Sequence, residues 1–347
     1  MDRDAQGLNA VARVWQAYRL RWRRRRLLLR ALARAQQLHP RADRTAAIRP
    51  GDILAAMTVR NEAVRLPHFL AHHRKLGVSH FLIVDNASSD GTAQYLAAQP
   101  DVSLWSTPHS YKLARFGLDW LTYLLARHGH GHWCLTLDAD EVLIYPYWES
   151  RDLRALTGRL DAEGREMMGA IMLDMYPEGQ LDAAIYRPGD DPFATLGWYD
   201  SGNYSVQVQP KMRNLWIQGG VRARMFFPQD PRRAPTLNKI PLVKWNRRYA
   251  YVNSTHALLP PRLNLVYDVK GGEVISGVLL HTKFLPEVVA KSVEEKQRRQ
   301  HFANSPLYSA YYDRLTAAPT LRCAASRRYS GWRQLEAEGL MSRGGWV

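Results

Sequence analysis

Between residues 53 and 138, short apolar runs alternate with stretches of helical period. Ile53–Val59 is long enough for a buried strand and too short for an ordinary helix. Within 64–76, Leu66, Phe69, Leu70 and His73 recur at helical spacing, and Gly77 ends the pattern. Phe81-Leu82-Ile83-Val84 predicts a second buried strand. A short helix over 93–98, a third strand over 102–105, a longer helix over 113–127 and a fourth strand over 133–137 follow. Strands without polar alternation, separated by helices, predict an α/β fold whose mostly parallel sheet is covered on both faces. Ligands of such sheets gather beyond the carboxyl ends of the strands. This sequence places its polar segments 85–92 and 138–141 there.

After residue 145 the rhythm loosens. The apolar strand 169–175 carries Asp174 near its end, and 186–202 is a loop rich in Gly, Asp and Pro. The segment 274–280 predicts a strand running into His281-Thr282-Lys283-Phe284, and 286–299 and 308–315 read as helical. The expected organisation is a basic N-terminal helix and linker over 1–50, an α/β domain over 51–285 and a helical extension over 286–347.

The stretch 9–37 reads as one helix. Val11, Val14, Trp15, Tyr18 and Leu20 supply apolar positions, Arg21 and Arg23 to Arg26 a basic block, and leucines follow. That pattern suits a helix lying on an anionic membrane surface, with guanidinium groups on lipid phosphates and the apolar stripe in the interface. It equally suits a solvated helix packed on the main domain. The formal net charge of +16 implies an anionic partner: nucleic acid, anionic lipid or a phosphorylated substrate. Much of that excess precedes Gly51 and no nucleic-acid-binding module is recognisable, so no nucleic-acid partner is expected. With a mean hydropathy of −0.38 and no run near about 18 apolar residues, no membrane span is expected. Residues 1–10 are polar, and no secretory leader is expected. Cys134 and Cys323, far apart in sequence, fit a reducing, cytoplasmic compartment.

The chemistry concentrates at 138–141. Asp138 and Asp140 flank one residue at the end of a buried strand, so both carboxylates can face one crevice. Hard oxygen ligands of this kind suit Mg²⁺ or Mn²⁺ bridging donor phosphates. His281, closing a later strand, is a second candidate metal ligand or a hydrogen-bonded core histidine; His256 and His301 read as structural or acceptor-side. Asp174, Glu178, Asp200 and Asp230 are candidates for the base that deprotonates an acceptor hydroxyl, with Asp174 and Asp200 foremost. Trp198, Tyr199 and Trp216 are either core or a platform for a sugar ring.

Thr58-Val59-Arg60-Asn61-Glu62, the run from Leu76 through Asp85-Asn86-Ala87-Ser88-Ser89-Asp90-Gly91-Thr92, and Leu137-Asp138-Ala139-Asp140-Glu141 together resemble glycosyltransferase family 2, in its bacterial family-2-like branch. The motifs cover roughly 53–145, with fainter similarity through Lys239 to Trp245 and around His281. The resemblance implies a GT-A fold, a nucleotide-sugar donor, a divalent cation (Mn²⁺ or Mg²⁺), inverting transfer and a saccharide, glycolipid or protein acceptor. By position it implies Thr58, Arg60 and Glu62 beside the nucleoside, Asp85 accepting from the base, Arg115 near the base or diphosphate, Asp138 on the ribose or metal, Asp140 on the metal, His281 as a further metal ligand and Lys283 on the diphosphate. The family often has an aromatic where Arg60 stands, and a guanidinium plane can stack in its place. A nucleotidyltransferase is the alternative enzyme; it would ordinarily carry a glycine-rich loop where Arg60-Asn61-Glu62-Ala63 stands.

Overall fold

The computed structural model describes residues 10–267, 274–298 and 309–347. Its framework is one nine-stranded sheet in the order β1-β4-β3-β2-β5-β11-β7-β14-β6. The strands are β1 (His39–Ala42), β2 (Ile53–Val59), β3 (His80–Asp85), β4 (Val102–Ser106), β5 (Trp133–Thr136), β6 (Glu141–Ile144), β7 (Met167–Asp174), β11 (Asn238–Lys244) and β14 (Ser276–His281). β2, β3, β4 and β5 are mutually parallel, and β7 and β14 are parallel to each other. β11 runs antiparallel between β5 and β7, so those six strands point one way. β1, β6 and β11 oppose them. The sheet is mixed but mainly parallel.

β2 shows why the continuous apolar runs form central strands. Ile53, Ala55, Met57 and Val59 enter one core and Leu54 and Ala56 the other. Alternate residues are buried on both faces, so a polar alternation has no place. The first core is closed by α2 (Leu66–Lys75) through Leu66, Phe69 and Leu70, and by α5 (Leu153–Ala162). The second is closed by α4 (Leu118–His128) through Trp120, Leu121, Leu124 and Leu125. A short α3 (Thr92–Ala97) links β3 and β4.

Outside the α/β body, α1 (Ala10–Arg34) lies against α4. The segment before Gly51 also contributes β1, which pairs with β4 as the sheet's edge. The predicted loop 186–202 holds α6 (Pro192–Thr195) and β8 (Trp198–Asp200). Then come the hairpin β9 (Ser205–Gln209) and β10 (Asn214–Gln218), α7 (Gly220–Phe226), and the small pair β12 (Ala250–Tyr251) and β13 (Leu258–Leu259). The C-terminal part holds α8 (Glu287–Arg298), α9 (Ser309–Thr316), β15 (Ser326–Arg328), which pairs with β8, and α10 (Trp332–Ala337). It turns back onto the sheet: Trp332 and Leu335 share a core with Ile144 and Leu280, and Ser342 bridges Ser276. His301 lies outside the described residues. Among those described, no helix is long and apolar enough to cross a membrane.

Candidate active site

From β2 the chain moves to β3 and β4 on one side, then returns to β5 on the other. The carboxyl ends of β2 and β5 are therefore a topological switch point, where a sheet of this kind opens a crevice. A cleft of ≈ 1160 Å³ lies there. Of the residues singled out from sequence, Thr58, Arg60, Glu62, Arg115, Asp138, Asp140, His281 and Lys283 line it, as do Trp216 and His256.

Strand register assembles its floor. His281 stands opposite Asp174 across the β14–β7 pair and opposite Glu141 across the β14–β6 pair. Its Nδ1 lies 2.6 Å from Asp174 Oδ1 and its Nε2 3.0 Å from Asp140 Oδ2. The other oxygen of Asp174 accepts from Arg222 Nε at 2.7 Å. The result is a continuous chain Asp140–His281–Asp174–Arg222. Burial alone would lower the His281 imidazole, but Asp140 and then Asp174 outweigh it and raise it above its ordinary value. Burial likewise acts to raise the Asp140 carboxyl, yet the His281 charge, with Lys283 and Arg65 behind it, holds it well below the usual carboxylate range.

Beside this chain Lys239 Nζ sits 3.0 Å from Asp138 Oδ2 and 2.6 Å from Glu141 Oε1. Asp138 is half exposed; Lys239 and Glu141 are buried. Burial pushes the Glu141 carboxyl upward; Lys239 opposes that, and the charges of Asp138 and Asp140 add to it. Lys283 is lowered, first by its own burial, and among the described residues no carboxylate lies within ion-pair distance of it.

Two loops above the floor are laced together. The backbone N–H of Asn61 donates to Ser88 Oγ, that of Glu62 to Thr92 Oγ1 and that of Ala63 to Asp90 Oδ2, at 2.9, 2.9 and 3.1 Å. Arg60 donates to the carbonyls of Asn86 and Ala87. Glu62 is held by Arg65 at 2.9 Å and by Lys291 at 2.6 Å. Thr58 Oγ1 is buried without a hydrogen-bond partner among the described residues. Gly117 explains the room around it: a Cβ there would sit 2.5 Å from that oxygen. The same loop carries Arg115 and Phe116 at positive φ, which sets the Arg115 Nε 2.8 Å from Asp119.

Three expected site residues stand off the cleft wall. Asp85 is buried beside it, with Oδ2 accepting from the Ser88 N–H and Oδ1 without a partner among the described residues. Asp174 is shut behind His281 with both oxygens engaged. Asp200 lies in a separate buried cluster, where it accepts from the Tyr176 hydroxyl and is clamped by Arg224 at 2.9 and 3.0 Å. Glu178 and Asp230 are paired with Arg322 and Arg233 away from the floor. The expectation that Asp174 or Asp200 touches an acceptor hydroxyl therefore meets a geometry in which neither reaches the cleft. Trp198 lies under the Arg322 guanidinium, and the Tyr199 hydroxyl donates to Glu338.

Sequence reasoning passed over Arg222 as a partner, Lys239 as the counter-ion of the acidic turn, and Asp119. Fully buried Asp119 accepts from Arg115 and Arg30 and pairs with Arg34 at 3.2 Å, tying α1 to the cleft loop. A lysine inside an otherwise apolar strand was the one available signal for Lys239.

No family model matches the chain, and no curated protein does. Among solved structures, a mannosyltransferase from Pyrobaculum calidifontis in complex with GDP-Man and Mn²⁺ is 18% identical, with a TM-score of 0.25, over 47% of this chain and 46% of its own. This chain thus spans under half of that protein's length. A 4-diphosphocytidyl-2C-methyl-D-erythritol synthase is 15% identical over 41% and 68%, TM-score 0.25. A Bacillus anthracis protein assigned as a glucose-1-phosphate thymidylyltransferase, in complex with sucrose, is 10% identical over 84% and 95%, TM-score 0.30. At these scores none of the three bears on which activity this chain has.

Proposed function

We propose that this chain is a divalent-cation-dependent glycosyltransferase that moves a sugar, with inversion, from a nucleotide-sugar donor to a saccharide, glycolipid or protein acceptor. One observation carries the reading: Asp138, Asp140 and His281 line one cleft at the sheet's switch point, with Asp174 backing His281 and Arg222 backing Asp174.

The residues fit a cation by their donor chemistry. Asp138 and Asp140 offer hard oxygens, and His281 has its far nitrogen on a carboxylate, the support that a metal-binding imidazole commonly has. Among the described residues no three such side chains already form a cluster. Mg²⁺-type sites keep few protein ligands and complete their shell with water and phosphate oxygens. Asp138, Asp140 and His281 would hold Mn²⁺ or Mg²⁺, which offsets the charge gathering on a departing diphosphate.

This chain's own groups do the rest. Thr58 Oγ1, on the cleft wall and without a partner among the described residues, supplies an acceptor for a base or ribose edge, and Asp85, buried beside the wall, holds the Ser88 loop. Lys283 supplies an ammonium to the diphosphate. Asp174 acts as a positioning residue that holds His281, and Asp200 as a scaffold. A nucleotidyltransferase could share the sheet and the acids. Against it, the N–H groups at 61–63 are spent on Ser88, Thr92 and Asp90 and cannot cradle a triphosphate.

The test is a thermal-shift panel of nucleoside diphosphates with and without Mn²⁺, since a ligand that binds the native state raises its stability. At least one diphosphate should raise the melting temperature more with Mn²⁺ than alone, and Asp140→Ala should abolish that increment. No metal-dependent increment with any nucleotide would sink the proposal.

A further inference from the structure

We propose that the solvent face of α1 is the surface by which this protein docks on an anionic lipid bilayer. The helix presents two opposite apolar faces. One is fastened to the body: Leu20 and Ala31 are buried, and Arg30 and Arg34 reach Asp119. On the other side Val11, Trp15, Tyr18, Trp22, Leu29 and Leu32 recur at alternating steps of four and three residues. They are between 47% and 70% exposed. That spacing lines them along one stripe of the cylinder, some 180° from the buried face. Arg25 fills the step between Trp22 and Leu29, with its guanidinium 5.1 Å from the Trp22 ring.

Charge selects the occupant. The 25 residues of α1 hold nine arginines and no acidic residue. Arg19, Arg21 and Arg26 are exposed, flank the stripe, and have no carboxylate partner among the described residues. A second copy of the helix would bring the same cationic face against it, at a cost from like charges. A nucleic-acid backbone would neutralise the arginines but leave the leucines in water. An anionic bilayer satisfies both sets: guanidinium groups meet lipid phosphates, the tryptophans and Tyr18 sit at headgroup depth, and the aliphatic side chains enter the acyl boundary. Because Asp119 fixes the helix to the α/β body, docking would place the whole molecule, not a free arm. Arg23 and Leu27, on the flank of the same helix, form part of the cleft wall. Docking would thus hold that cleft roughly one helix diameter, about 10 Å, from the bilayer surface.

Flotation of the full chain with vesicles of phosphatidylcholine, with and without phosphatidylglycerol and with no donor present, tests this independently of any sugar transfer. The chain should float with the anionic vesicles only, less so as salt rises. Trp15→Ser combined with Trp22→Ser and Leu29→Ser should weaken binding roughly tenfold or more while leaving the melting temperature unchanged, because all three side chains face solvent. Failure to float with anionic vesicles, or equal flotation of the triple variant, overturns the proposal. So does a dimer in sedimentation that the triple variant dissolves, with no vesicle binding.

Discussion

Asp174→Asn separates a positioning carboxylate from a catalytic base. The substitution keeps the shape and removes the charge. In the fold the Asp174 side chain is 2% exposed and is, among the described residues, the sole carboxylate paired with Arg222, itself 6% exposed. Leaving a buried guanidinium without its counter-charge costs about 3–5 kcal/mol. The same change releases His281 Nδ1 from a charged acceptor at 2.6 Å. Loss of such outer support typically lowers metal affinity about 10–100-fold, or about 1.4–2.7 kcal/mol. Urea unfolding should therefore show a loss of several kcal/mol. Titration of Mn²⁺ in the presence of GDP or UDP should show weaker binding. Adding Arg222→Gln should restore part of the stability without restoring the metal affinity. A base would behave otherwise: turnover would fall by about 10²–10⁴ with stability and metal binding intact. A variant within about 1 kcal/mol of the parent that binds Mn²⁺ normally would refute the positioning role.

Two further outcomes rest on packing and on buried histidines. Gly117→Ala places a methyl 2.5 Å from Thr58 Oγ1 at a residue with φ +76°; left-handed strain of about 1–2 kcal/mol and overpacking of about 1–3 kcal/mol should together cost ~2–5 kcal/mol in urea unfolding, and a loss under about 1 kcal/mol would discount the close approach. Burial lowers His72 to about 4, His256 to about 3 and His73 well below its ordinary value. Below 6.5 the unfolded chain takes up at least these three protons that the fold refuses, so stability should fall as pH drops, by about 4 kcal/mol per pH unit near pH 5. His281, raised in the fold, contributes stability that is fully present below 6.5 and so does not add to this loss. A flat stability profile from pH 7 to pH 5 would contradict the neutral assignment.

How far the sequence could be read depended on whether the signal was local. β2 and β3 were legible because a strand buried on both faces is a continuous apolar run, and Asp138 and Asp140 because they interrupt one. The partners were not. Asp174 and His281 are 107 residues apart and meet only because β7 and β14 pair in parallel. No periodicity encodes which strands become neighbours. β11, inserted antiparallel between β5 and β7, brings Lys239 to the acidic turn for the same reason. Asp119 looks like an ordinary first-turn acid that favours a helix N-terminus; its three arginine partners come from α1 and the preceding loop. Asp200 shows the converse. Its place in a polar loop beside Trp198 and Tyr199 makes Asp200 a candidate base, and the β8–β15 pairing turns it inward onto Arg224 and Tyr176.

The charge balance of the cleft sharpens the expected order of binding. Its lining carries eleven Lys or Arg and five Asp or Glu side chains. Glu62 is taken up by Arg65 and Lys291, Asp138 and Glu141 by Lys239, and Asp140 by His281. A bare divalent cation would enter a field that is already positive, and would have to part Asp140 from His281 unaided. A diphosphate meets Lys283 and the arginines directly, and its own charge reverses the field before the cation arrives. The thermal-shift panel should therefore show almost nothing for Mn²⁺ alone, a modest rise for the favoured diphosphate alone, and the largest rise for both. That ordering follows from focusing of the cleft's net charge and should weaken with added salt. A full response to Mn²⁺ without nucleotide would mean that the acids of the floor, rather than the basic lining, set the field.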